Sequence, residues 1–137
     1  MFFKKNKKED EDKNFVKIAS LLIHAAKIDE NFSKTEEKII TEALLKLGAK
    51  NESLESIIKA GKLMEENANQ ILDFTREVKN MDENKKIQII ETLWKIIYSN
   101  KEADIYETNL MRRLAGLLYV DNKTMGDIKE KIKKENS

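Results

Sequence analysis

Cysteine and proline are both absent from the 137 residues, and glycine occurs only 4 times. Without cysteine, the chain has no disulfide, no thiolate metal ligand and no thiol nucleophile. Proline and glycine are the residues that most often mark turns, so their scarcity argues against a turn-rich β protein. Helices joined by short polar turns are the structure that this composition favours.

Neither sign of charge prevails, because 26 Lys and Arg residues face 25 Asp and Glu residues for a formal net charge of +1. Such a chain has no overall field that would attract nucleic acid, and we expect no nucleic-acid partner. No apolar run approaches the roughly 18 residues of a membrane span. The first residues lead directly into lysines and do not resemble a signal peptide. We therefore expect a cytoplasmic protein without a membrane span.

The residues of common catalytic sites are also scarce. His24 is the only histidine, so no catalytic dyad or triad with a second base is available. Glycine-rich phosphate loops are absent, which gives nucleotide binding no support. We expect that the protein is not an enzyme.

Apolar residues recur at three- and four-residue steps from residue 12 onward, which predicts amphipathic helices. The charged, non-periodic residues 1–11 predict a disordered lead-in, followed by one helical domain over residues 12–135. Asp82 and Asp121 are expected to cap the fifth and seventh helices. The fold class is thus all-α, a bundle of about seven helices, predicted near residues 12–28, 33–47, 52–66, 68–80, 83–99, 104–118 and 121–134.

The sequence contains two capping boxes. Ser33 with Glu36 has the spacing in which the serine oxygen and the glutamate each accept a backbone amide of the first helical turn. Asp104 with Glu107 repeats that spacing. Gly48 follows the second helix where a left-handed residue is favoured. Both capping boxes follow an acidic or amide residue that closes the preceding helix.

The two capping boxes belong to an internal repeat with an offset of 71 positions, the separation of Glu107 from Glu36. Each half contains a helix, a short acidic turn and a capped helix. The halves are therefore expected to have related structures. The matching pairs are Leu22 and Leu93, Ala26 and Ile97, Asp29 and Asn100, Ile39 and Leu110, Ile40 and Met111, Ala43 and Leu114, and Leu47 and Leu118.

Several stretches carry a family resemblance. They are Ala25 to Asp29 with Ser33 to Glu36, Phe74 to Arg76, Leu93 to Tyr98, and Tyr106 to Val120. Together they resemble the TerB-like tellurite-resistance family over about residues 12–125. The resemblance implies an all-helical fold of two related halves, a link to tellurite and other stress responses, and acidic turns that bind a divalent metal.

The metal hypothesis concerns four residues of the two turns, Asp29, Glu36, Asn100 and Glu107. Carboxylate, amide and backbone oxygens suit Ca²⁺ or Mg²⁺ better than Zn²⁺, for which there is no cysteine and no second histidine. Asn100 stands where the family has aspartate, so it offers an oxygen without a charge and predicts a weaker site. No other cofactor is expected.

Other interpretations remain open for the same residues. Helix capping alone explains Glu36, Asp104 and Glu107. Asp29 faces the negative end of a helix and needs a positive partner, which is either a metal or a lysine such as Lys27, Lys34 or Lys101. The rival function is an interaction module that holds a protein partner in an apolar groove between the halves. A metal-dependent hydrolase would require carboxylates that converge on an open cavity. The oligomeric state is not predicted.

Overall fold

The computed structural model describes residues 2–27, 33–68, 72–99 and 105–135, which form helices and turns and no strand. The all-α prediction with about seven helices is confirmed. The elements are α1 (Phe2–Ala26), α2 (Lys34–Lys46), a 3₁₀ turn (Asn51–Ser53), α3 (Leu54–Asn67), α4 (Leu72–Lys79), α5 (Glu83–Tyr98), α6 (Ile105–Leu117) and α7 (Asn122–Glu135).

Helix α1 begins at Phe2, so residues 2–11 have a helical backbone where the sequence predicted a disordered lead-in. The difference has a local cause. No glycine or proline interrupts the chain before Gly48, and lysine and glutamate are good helix formers, so the helix extends beyond its apolar stripe. The domain boundary at residue 12 stays a prediction.

The predicted N-terminal caps of α2 and α5 are present. The Ser33 hydroxyl oxygen accepts from the Glu36 amide at 3.1 Å, and the Ser33 amide donates to Glu36 Oε1 at 2.9 Å. Asp82 accepts from the Lys85 amide at 2.9 Å, which starts α5. The predicted third and fourth helices begin later than expected, at Leu54 and Leu72, and a 3₁₀ turn precedes the third.

The core lies around α1 and α5, which pack against each other. Helix α5 also contacts α2 and α7, and 9 of its residues are buried, as expected for a helix with apolar residues over most of its circumference. Helix α4 connects the halves, because it contacts both α1 and α6. Trp94 is 3% exposed and belongs to this core.

The internal repeat extends further than the sequence comparison indicated. Helices α1, α2 and α3 correspond to α5, α6 and α7 at the same offset of 71 positions. Several residue pairs related by this offset are buried in both halves. These pairs include Ile18 and Ile89, Leu22 and Leu93, Ile40 and Met111, Leu54 and Met125, and Ile57 and Ile128.

The ends of α2 and α6 show the repeat in their backbone hydrogen bonds. The Ala49 amide donates to Leu44 O at 2.9 Å, and the Val120 amide donates to Ala115 O at 2.9 Å, which is the six-to-one bond of a Schellman motif. In each motif the residue before the amide donor has a positive φ, which is 112° for Gly48 and 57° for Tyr119. Tyr119 lies in the small left-handed region that side chains tolerate, whereas a φ of 112° is suited to glycine.

Gly48→Ala is expected to lower the free energy of unfolding by about 1–2 kcal/mol, because the alanine side chain disfavours this positive φ. Steric contact is not the cause, since the nearest atom to an added Cβ is Phe15 Cζ at 3.9 Å. Gly116→Ala is the matched control: a Cβ there meets nothing within 4 Å, and alanine in a helix raises stability by about 1 kcal/mol. Urea unfolding measures both. If Gly48→Ala left the free energy of unfolding unchanged, the strain argument would be wrong.

Candidate metal site and a tryptophan cavity

Residues 28–32, the predicted first acidic turn, lie outside the described residues. Glu36 lies in the first turn of α2 and is 1% exposed, so its carboxylate is buried although it is a charged group. The capping box holds Oε1 at the Ser33 amide, which fixes the carboxylate at the helix N-terminus, where the dipole favours negative charge. The start of α2 therefore presents a preorganised carboxylate.

Lys27, which the sequence offered as a partner for Asp29, is engaged elsewhere. Its Nζ lies 2.7 Å from Glu65 Oε2 on α3. The hydrogen bond from Lys27 to Glu65 raises the pKa of the lysine. Stability from this raised pKa is present below the unfolded lysine pKa and is lost only as pH rises through the folded value, so the pair persists at neutral pH. His24, one turn earlier on the same face of α1, also contacts Glu65, with its Nδ1 3.3 Å from Oε1.

The other predicted ligands are not placed by the structure. Asp29 and Asn100 lie outside the described residues, as does Asp104 of the second capping box. Glu107 has a helical backbone within α6, and its side chain lies outside the described part. In the described ranges, no group of three or more histidine, aspartate or glutamate residues is arranged to hold a metal ion. The four-residue metal site therefore remains a prediction to which the structure contributes Glu36.

Two features of the structure were not predicted from the sequence. Glu65 is bound to residues about 40 positions away in the chain, and no local pattern signals such a contact. The second is a cavity of about 160 Å³ between α5, α6 and α7, one wall of which is Trp94. Its sequence signal was limited to the Trp94 and Tyr98 pair, whose rings stack at a centroid distance of 5.9 Å.

Trp94 and two cationic side chains line the cavity. Trp94 Nε1 is buried and has no hydrogen-bond partner among the residues that the structure describes. Lys129 Nζ lies 5.5 Å from the centroid of the Trp94 ring, and Arg112 lines the same cavity. Asp121, just before α7, accepts from the Thr124 amide at 2.7 Å, and that bond lowers the pKa of its carboxyl. Asp121 is therefore ionised at neutral pH and caps α7, as predicted.

The architecture as a whole defines a class of protein: an all-α domain of two related three-helix units joined by a short helix. A protein-family model described as "Tellurite resistance protein TerB" matches residues 15–130, most of the chain. The chain belongs to the TerB family, which confirms the resemblance that the sequence indicated.

Neither the search of curated proteins nor the search of solved structures found a match. Family membership thus rests on the family model. Across the described ranges, no helix has both the length and the apolar content needed to cross a bilayer.

Proposed function

We propose that this TerB-family protein binds a divalent cation, Ca²⁺ or Mg²⁺, at its acidic turns and acts in a tellurite-related or other stress response. In this proposal it catalyses no reaction and works in the cytoplasm. The observation that carries the proposal is Glu36, a carboxylate 1% exposed and oriented by its capping box at the first acidic turn.

The chemistry of the residues supports a hard cation. Ca²⁺ and Mg²⁺ are bound by carboxylate, amide and backbone oxygens, which Asp29, Glu36, Asn100 and Glu107 all offer. Lys27, one of the lysines that could have neutralised Asp29, is bound to Glu65 at 2.7 Å. Two carboxylates in the first turn and one in the second predict that the first half dominates the affinity.

The test is a calorimetric titration of Ca²⁺, Mg²⁺, Mn²⁺ and Zn²⁺ into the wild type and a Glu36→Gln variant. Glutamine keeps an oxygen for the Ser33 amide, so the capping hydrogen bond is retained while the charge is lost. We expect saturable heat for the wild type and at least about a tenfold loss of affinity for the variant. A cation at 100 times its dissociation constant would stabilise the wild type by about 2.7 kcal/mol.

Glu42→Gln is the matched control, because Glu42 is an exposed residue of the same helix and its replacement removes the same charge. It should bind like the wild type. Asp29→Asn and Glu107→Gln then show whether each turn contributes. Equal, non-saturating heats for all variants would refute the cation proposal and favour the rival function, an interaction module without metal.

A further inference from the structure

We propose that the cavity beside Trp94 is a binding site for a small carboxylate with an apolar body. The indole N–H of Trp94 is a donor only, it is buried, and it meets no acceptor in the described part of the chain. A buried donor without a partner costs free energy, and such groups in native structures call for an explanation. A ligand that brings an acceptor oxygen to this donor removes the cost.

The residues that line the cavity favour a negatively charged ligand. Lys129 lies over the indole ring, Arg112 lines the same space, and no carboxylate is present among the described lining residues. Lysine and arginine supply charge-assisted hydrogen bonds, which are shorter and stronger than neutral ones. Asp121, which precedes the lining residue Asn122, is occupied as the N-cap of α7.

A carboxylate fits this set of donors better than a phosphate. Met111 and Met125 form apolar parts of the wall, and Trp94 supplies one N–H. Thr108 and Asn122 also offer donors in this lining, so the methionines decide between the two anions: the apolar body of a small carboxylate packs on them, whereas a phosphate has no apolar part to cover them. The volume of about 160 Å³ is far above the roughly 15 Å³ needed for one water.

Contact between a ligand and the indole N–H requires a local movement. Trp94 Nε1 is buried, so a ligand reaches it only when the groups that cover it move. Methionine is unbranched and adapts its shape readily, and Lys129 is only partly buried. Binding is therefore expected to displace the Lys129 ammonium from the ring toward the carboxylate.

Fluorescence provides a direct test, because Trp94 is the only tryptophan of the chain. Sodium butyrate is titrated at constant ionic strength, with butyramide as the neutral control and inorganic phosphate as the rival anion. The expected result is a saturable change in tryptophan emission with butyrate and no saturation with butyramide or phosphate. Lys129→Gln and Arg112→Gln should each raise the midpoint about threefold or more.

Lys133→Gln is the matched control, since Lys133 is exposed on the same helix and does not line the cavity. Its midpoint should equal that of the wild type. Trp94→Phe removes the donor, and butyrate should then no longer raise the melting temperature relative to the same variant without ligand. This readout remains valid if the variant is less stable.

A short glutamate-containing peptide distinguishes a free acid from a carboxylate that belongs to a protein partner. Saturation by either probe supports the site, and the tighter probe identifies its source. Equal responses to butyrate and butyramide, saturation by phosphate alone, or an unchanged midpoint in both charge variants would overturn the proposal. None of these outcomes depends on divalent cation binding, so the two proposals succeed or fail separately.

Discussion

Phe74→Ala is expected to lower the free energy of unfolding by about 3–5 kcal/mol, the usual cost of truncating a buried phenylalanine. Phe74 is 1% exposed and lies on α4, the short helix that contacts both halves of the molecule. Its ring centroid is 6.0 Å from that of His24 on α1. The total free energy of unfolding of a domain of this size is about 5–15 kcal/mol, so this one substitution removes a large share of it.

Urea unfolding followed by circular dichroism measures this loss. Leu63→Ala is the control, because Leu63 on α3 is 54% exposed and its truncation should change stability by no more than about 0.5 kcal/mol. A loss below about 1 kcal/mol for Phe74→Ala would show that the site collapses around the smaller side chain. It would also mean that α4 contributes little to joining the halves.

Gly61→Ile is expected to cost about 3 kcal/mol through overpacking. Helices α1 and α3 approach closely at Gly61, where an added Cβ would lie 3.0 Å from Ala19 Cβ and 3.4 Å from the Ser20 backbone nitrogen. The Ser20 hydroxyl donates to Gly61 O at 3.0 Å across the same contact. Isoleucine is informative because Ile132 occupies the equivalent position of the second half.

Gly126→Ala is the control for this contact, because Gly126 lies in α7 and an added Cβ there meets nothing within 4 Å. It should raise stability by about 1 kcal/mol through helix propensity alone. The opposite signs of the two glycine replacements, measured in the same urea series, test the packing argument. Stability gains at both sites would show that α1 and α3 separate without cost.

The sequence predicted those parts of the fold that depend on local patterns. The capping residues Ser33 and Asp82 and the left-handed Gly48 act on neighbouring amides and carbonyls, so their spacing alone determined helix ends. The repeat was also visible, because equivalent buried positions keep apolar residues. The start of α1 at Phe2 was missed because a charged segment lacks the periodicity that marks a packed helix.

These local patterns do not predict contacts between residues that are far apart in the chain. Nothing near Gly61 in the sequence indicates that α1 approaches it, and nothing near Glu65 indicates its contacts with His24 and Lys27. The cavity at Trp94 likewise depends on how three helices pack. Such features follow from tertiary arrangement, which a local spacing rule does not contain.

The candidate metal site was predicted in part. Glu36 was identified from its capping box, and the structure adds that its carboxylate is buried, which no spacing rule indicates. Capping by itself accounts for the hydrogen bonds of Glu36 with Ser33. The metal therefore has to be tested by its own effect on the two turns.

Paramagnetic broadening by Mn²⁺ in a ¹⁵N-labelled sample is the most direct measurement of that effect. The account predicts that substoichiometric Mn²⁺ broadens the amides of Ser33 to Glu36 and of Ile105 to Glu107 before other resonances. Excess Ca²⁺ or Mg²⁺ should restore them, and Glu36→Gln should prevent the broadening. Broadening that appears first at exposed carboxylates such as Glu55, with both turns unaffected, would contradict the account.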